Sequence, residues 1–172
     1  MTTLAEYMGQ VVEMLARGGV RARGGVRYRC NEELVLAEGR EYPAPPDDGF
    51  ARWPRMAARE CFANAAMLAT RDDDLVYVEG FAVNIIPTGH AWCWSLSEGR
   101  VVDPTWGGGG REYFGVPFRT EFLSEALRAR KQYGLLDDGR GGFPLLAGGI
   151  GPTDYRDDRA MAEDAFSVQG PR

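Results

Sequence analysis

The chain has 172 residues, with 44% hydrophobic and 26% charged residues, and its formal net charge is −5. This length and composition predict one globular domain, and the negative charge excludes a nucleic-acid binder that relies on a basic surface. No run approaches the ~18 apolar residues of a membrane span, so no membrane partner is expected. Three cysteines and no secretory signal at the N-terminus favour a reducing, cytoplasmic setting.

The first 45 residues predict a helical and hairpin subdomain within a catalytic-type domain over residues 1–136. Thr3 and Glu6 form a predicted capping box, and Gly18-Gly19 ends the helix that follows. A short hairpin is expected over 20–37 around Gly24-Gly25. The helix over 3–16 has apolar residues at helical spacing, namely Leu4, Tyr7, Met8, Val11, Val12 and Leu15.

A Pro- and Gly-containing loop over 43–49 leads into the central part of the chain. The central part predicts the following elements in order: a helix over 55–70, a strand over 75–83 with a possible bulge at Gly80, strands over 90–96 and 100–106, and a helix over 120–132. Residues 137–172 form a Gly-rich extension, in which Phe143-Pro144-Leu145-Leu146 is able to dock on the core. The oligomeric state is left open.

His90 is the only histidine in the chain, so any chemistry that depends on an imidazole must use it. Side chains alternate along a strand, which places His90, Trp92 and Trp94 on one face and Cys93 on the other. Cys30 has no identifiable partner in the sequence. Cys61 remains, and its position near the start of a helix favours a thiolate.

A carboxylate that orients His90 is expected at Asp103 if the two strands are joined by a sufficiently long loop. A tight turn at Glu98-Gly99 would leave Asp103 four residues out of register, about 13 Å away at ~3.3 Å per residue. We therefore predict a longer loop, around Ser95 to Glu98, which brings Asp103 toward His90. The competing interpretation of Asp103 is a turn residue before Pro104.

Cofactor and metal signals are missing from the sequence. There is no CxxC pair and no usual zinc-ligand spacing, although a metal bound by Cys61, His90 and Asp103 remains an alternative. No glycine-rich nucleotide motif follows a strand, so no cofactor is expected. Trp92, Trp94 and Trp106 are candidates for the walls of a substrate cleft, and Asn64, one turn after Cys61, is a candidate to polarise the site.

The ordered set resembles the transglutaminase-like branch of the papain-like cysteine hydrolases. The resemblance rests on Cys61 at a helix start, His90-Ala91-Trp92 on a strand and Asp103-Pro104-Thr105 on the next strand, within residues 55–118. It implies an α+β fold in which the helix that carries the nucleophile packs on an antiparallel β-sheet. It also implies that Cys61 is the nucleophile, His90 the base and later the acid, and Asp103 the residue that orients His90.

The family resemblance also implies an oxyanion hole that includes the Cys61 backbone N–H. Papain-like enzymes add a side-chain donor upstream, often Gln, whereas Glu60 precedes the cysteine here; Trp53 is a candidate substitute through its indole N–H. The expected function is a cysteine-dependent hydrolase or acyltransferase that acts on a peptide or protein amide through a thioester. Many small bacterial members are peptidases. The alternative is a protein-binding module on the same fold, with no catalysis and with a phage or host protein as partner.

Overall fold

In the computed structural model, the residues described are 2–22, 26–45, 52–136, 144–148 and 155–161. They form an α+β fold in which helices pack on an antiparallel sheet. The helices are α1 (Leu4–Arg17), α2 (Asn31–Glu38), α3 (Cys61–Ala69), α4 (Thr120–Arg130) and α5 (Pro144–Ala147), and the strands are β1 (Arg40–Tyr42), β2 (Leu75–Val83), β3 (Pro87–Ser95), β4 (Arg100–Val102) and β5 (Glu112–Phe118).

The sheet has the strand order β1-β5-β2-β3-β4, and every neighbouring pair is antiparallel. Its two faces bury different sets of side chains. We call one the helical face, because its residues pack with buried residues of α1, α2, α3 and α4; they include Tyr77, Ala91, Cys93, Val116 and Phe118. We call the other the aromatic face, and its buried residues include Tyr42, Val78, Trp92, Trp94 and Tyr113. The α3 helix contacts β2 and β3.

The predicted hairpin over 20–37 is wrong in its second half, where residues 31–38 form α2. Two acidic residues in the first turn, Glu32 and Glu33, suit the positive end of the helix, and Arg29 pairs with Glu33 at 2.7 Å. Leu34 and Val35 are buried in the core that α1 and β5 share with this helix. These apolar residues therefore pack on the core from a helix. Gly24 and Gly25 lie outside the described residues. Residues 46–49 of the predicted loop also lie outside them.

The helix that carries Cys61 begins six residues later than the predicted start at 55. Arg59 has a left-handed backbone (φ 68°) and Glu60 is not helical (φ −113°, ψ 37°), so regular hydrogen bonding cannot extend upstream. This break makes Cys61 the first residue of α3. The chain therefore presents Cys61 at the helix N-terminus, where backbone N–H groups are unpaired.

Gly80 does not form a bulge, because the pairing of β2 with β3 and with β5 is continuous through it. Gly80 pairs with His90 of β3 on one side and with Gly115 of β5 on the other. A Cβ atom at Gly80 would collide with the carbonyl oxygen of Phe114 in β5. The glycine is therefore needed for close approach of neighbouring strands at the level of His90.

The predicted longer loop between β3 and β4 is confirmed. Ser95 pairs with Arg100, so the connection is the four residues 96–99, and Gly99 adopts φ 60°. The strand predicted over 100–106 ends at Val102 instead, because Pro104 cannot donate to a strand ladder and the Asp103 carboxylate accepts the next backbone N–H groups.

Other elements agree with the sequence pattern. Thr3 and Glu6 form the capping box of α1, β2 spans 75–83, and α4 ends where Lys131 adopts φ 54°. Leu145 is buried in the core, whereas Phe143 and most of the extension lie outside the described residues. Within the described ranges, no helix combines the length and apolar character needed to span a bilayer.

Candidate active site

Cys61 occupies the first position of α3 and is partly exposed. The preceding residue, Glu60, makes no side-chain cap for the helix. The N–H groups of the first turn therefore remain without the usual side-chain acceptor, and they add a positive electrostatic potential at the thiol. This environment provides donors for a developing oxyanion.

His90 lies on the aromatic face of β3 and is only 1% exposed. Its ring stacks on Trp106 with 3.8 Å between centroids and an interplanar angle of 15°. A second stacked ring, Trp92, follows at 6.4 Å. The imidazole thus lies against the Trp106 ring and is largely shielded from water.

Asp103 is fully buried, and each of its carboxylate oxygens accepts two hydrogen bonds. Oδ1 accepts the backbone N–H groups of Thr105 and Trp106, both at 2.9 Å. Oδ2 lies 2.8 Å from His90 Nε2 and also accepts the Tyr113 hydroxyl at 2.9 Å. The carboxylate is fixed by its own loop and in turn fixes the orientation of the imidazole.

Tyr113 is a site residue that the sequence analysis missed. It comes from β5, which pairs with β1 and β2 and is not a neighbour of β3 in the sheet, so no local pattern links it to Asp103. Burial, and then the charge and hydrogen bond of Asp103, raise the pKa of Tyr113 well above its ordinary value, which keeps the hydroxyl a neutral donor. A Cβ atom at Gly110 would collide with this hydroxyl, which explains one glycine of the run 107–110.

The pKa of His90 is raised from 6.5 to about 9. Burial is the largest single influence and acts to lower it. Hydrogen bonds to Asp103 and Cys61, and then the negative charges of these two groups, outweigh burial. Because Nε2 is bound to Asp103, Nδ1 is the ring nitrogen that remains for the Cys61 thiol.

The other cysteines have different environments. Cys93 is fully buried on the helical face, opposite to His90 as the strand alternation predicts, and its thiol donates to the carbonyl of Ala65 at 3.3 Å. Burial raises the pKa of Cys93 and of Cys30 above the ordinary thiol value. Both are therefore expected to be protonated near neutral pH.

Asn64 joins the loop before α3 to the loop after β4. Its side-chain amide donates to the carbonyl of Ala57 at 2.7 Å and to the Thr105 hydroxyl at 2.9 Å. The Met56 N–H also donates to the Pro104 carbonyl at 2.7 Å. Asn64 is buried and braces the two loops that carry Cys61 and Asp103.

The tryptophans named as candidates for the site occupy different positions. Trp92 is fully buried and packs edge-on against Tyr42 and Tyr113. Trp53 is 4% exposed, and its indole N–H points to Asp72 at 3.4 Å, so it is not directed at Cys61 as an oxyanion donor. Trp53 and the partly exposed Trp106 contribute to one depression of about 400 Å³.

No protein-family model matches this chain, and searches of curated proteins and of solved structures also return no significant match. In the described part of the chain, no three His, Cys, Asp or Glu side chains are grouped so as to hold a metal ion. The chemistry of the site must therefore be argued from its own geometry.

Proposed function

We propose that the protein is a cysteine-dependent amide hydrolase or acyltransferase of transglutaminase-like type, acting on a peptide or protein through Cys61, His90 and Asp103. The observation that carries the proposal is the environment of His90. This buried imidazole is bound to a carboxylate through Nε2, and the thiol at a helix N-terminus contributes to its raised pKa. A nucleophile, a base and an orienting group in this relation are what thiol-dependent acyl transfer requires.

The first half of the reaction forms a thioester. The Cys61 thiolate attacks the amide carbonyl carbon, a C–S bond forms, and the carbonyl electron pair moves to oxygen. The Cys61 backbone N–H at the start of α3 is placed to stabilise that oxyanion. As the C–N bond breaks, the imidazolium of His90 gives its proton to the departing amine.

The second half releases the acyl group. His90 removes a proton from the acceptor, which attacks the thioester carbonyl, and the C–S bond breaks to regenerate the thiolate. Water as acceptor gives hydrolysis, and an amine gives acyl transfer. Throughout, Asp103 holds the imidazole and stabilises its cationic form, and Trp106 covers the ring that carries the charge.

The proposed pair can be tested by alkylation with iodoacetamide, followed by peptide mapping. We expect Cys61 to be alkylated at least roughly tenfold faster than Cys30 at pH 7, because only Cys61 lies beside an imidazolium. His90→Ala should slow Cys61 and leave Cys30 unchanged, so Cys30 serves as an internal control in the same molecule. Cys61→Ala should remove the fast phase while circular dichroism remains that of a folded protein.

The alternative function, binding without catalysis, predicts a different result. Cys61 would then react no faster than Cys30, and His90→Ala would not change its rate. That outcome would contradict the proposed enzymatic function and favour binding without catalysis.

A further inference from the structure

A depression of about 400 Å³ lies next to the proposed catalytic residues. One wall consists of residues 53–55 and the other of residues 106–108, with a contribution from Asp103. Trp106 is shared with the catalytic arrangement, since its ring stacks on His90 at 3.8 Å. A group bound in the depression is therefore separated from His90 by little more than one aromatic ring.

The charges around this depression are unevenly compensated. Arg52 and Arg100 flank the Trp53 ring, at 4.9 and 5.7 Å, and both guanidinium groups pair with Glu98. Arg55, which lines the depression, is exposed and has no ion-pair partner among the described residues. Asp103, which also lines the depression, uses both carboxylate oxygens for hydrogen bonds to His90, Tyr113 and two backbone N–H groups.

The position of Arg55 is set by the neighbouring backbone. Directly after it, the N–H of Met56 donates to the Pro104 carbonyl and the carbonyl of Ala57 accepts from Asn64. The segment is thus tied on one side to the Asp103 loop and on the other to the helix of Cys61. The backbone that carries Arg55 is thus fixed relative to the start of α3.

We infer that this depression is a specificity subsite that binds a carboxylate of the substrate through Arg55. The inference rests on the function proposed above. A guanidinium beside indole walls binds a planar carboxylate through paired hydrogen bonds, whereas a lysine side chain would be repelled. The chain carries a net charge of −5, so a local cation is needed for an acidic substrate to approach.

The carboxylate has two chemical sources, an aspartate or glutamate side chain on the acyl side and a terminal carboxylate on the leaving-group side. Peptide acyloxymethyl ketones can separate them. The Cys61 thiolate displaces the carboxylate leaving group from the methylene carbon, so that a C–S bond forms as the C–O bond breaks. Three probes differ only in the residue beside the ketone (Asp, Asn or Lys), and a fourth combines Asn with a carboxylate-bearing leaving group.

We expect the Asp probe, or the fourth probe if the terminal carboxylate is the ligand, to modify Cys61 about tenfold faster than the Asn probe. Arg55→Glu should abolish this preference and favour the Lys probe. Arg71→Glu is the matched control: it makes the same charge change at an exposed position beyond the far end of α3, and it should keep the wild-type preference. Rates are measured by intact mass spectrometry.

The failures can be told apart. If Cys61 reacts rapidly and in a His90-dependent manner but the carboxylate probes have no advantage, or if Arg55→Glu retains the preference, the subsite is refuted and the proposed enzyme stands. If no probe shows His90-dependent modification of Cys61, both the enzyme and its subsite are refuted.

Discussion

Two buried carboxylates lie on opposite faces of the same sheet and have closely similar surroundings. Asp103, on the aromatic face, accepts two backbone N–H groups and the Tyr113 hydroxyl. Glu79, on the helical face, accepts the N–H groups of Leu135 and Leu136, at 2.7 and 2.9 Å, and the Tyr77 hydroxyl at 2.7 Å. Their exposures are 0% and 1%.

The difference between them is the histidine. Asp103 also binds His90, the only imidazole in the chain, whereas Glu79 holds the segment after α4 against the sheet. Burial, a tyrosine hydroxyl and two N–H donors are therefore features that Asp103 shares with Glu79 and do not by themselves mark a candidate site. A buried acid marks a candidate site here only when its hydrogen bonds extend to a group that can move a proton.

The largest expected effect comes from Asp103→Asn. Asparagine keeps the size of the side chain but removes the charge that favours the imidazolium and the correct ring orientation. We expect the His90-dependent alkylation of Cys61, or kcat/KM once a substrate is known, to fall by roughly 10²–10⁴-fold. Glu79→Gln is the matched amide substitution on the other face, and the folded fraction of that variant should react at a near wild-type rate.

An NMR titration separates positioning from general damage in Asp103→Asn. Because the chain has one histidine, its imidazole gives a single unambiguous signal. The pKa of His90 should be about 9 in the wild type and lower in Asp103→Asn. It should be nearly unchanged in Glu79→Gln. Equal losses of reactivity in the two variants would break the distinction between the two carboxylates.

The next effect is on stability, and it concerns Glu79→Gln. The amide replaces one acceptor oxygen by an NH₂ group, so a donor faces a backbone N–H, of either Leu135 or Leu136, inside the core. We expect a loss of roughly 2–3 kcal/mol in the free energy of unfolding, measured with urea. A change below about 0.5 kcal/mol would show that Glu79 does not hold this segment.

Part of this arrangement was predictable because it depends on local rules. Strand alternation predicts that Cys93 lies on the face opposite to His90, as it does. The longer loop between β3 and β4 was predicted because a tight turn would have left Asp103 too far from His90. The order of Cys61, His90 and Asp103 pointed to the same chemistry that the geometry supports.

The rest depends on contacts between residues far apart in the chain. Tyr113 reaches Asp103 from β5, and Glu79 reaches residues 135 and 136, so no spacing rule could identify either. Trp92 illustrates the converse problem, because an aromatic residue beside His90 on a strand suits either a cleft wall or a core, and tertiary packing buries it completely. The helix α2 was missed although its segment is rich in Glu, Leu and Ala, which favour a helix.

The smallest expected effect is a pH dependence of stability that comes from the proton on His90. The pKa of His90 rises from 6.5 to about 9 on folding, so the folded state binds the proton more tightly. This stabilisation is fully present below pH 6.5 and is lost as the pH rises through about 9. The Tm of the wild type should therefore fall by a few degrees more than that of His90→Gln between these pH values. Equal slopes in the two proteins would mean that the proton on His90 is not held by Asp103 and Cys61.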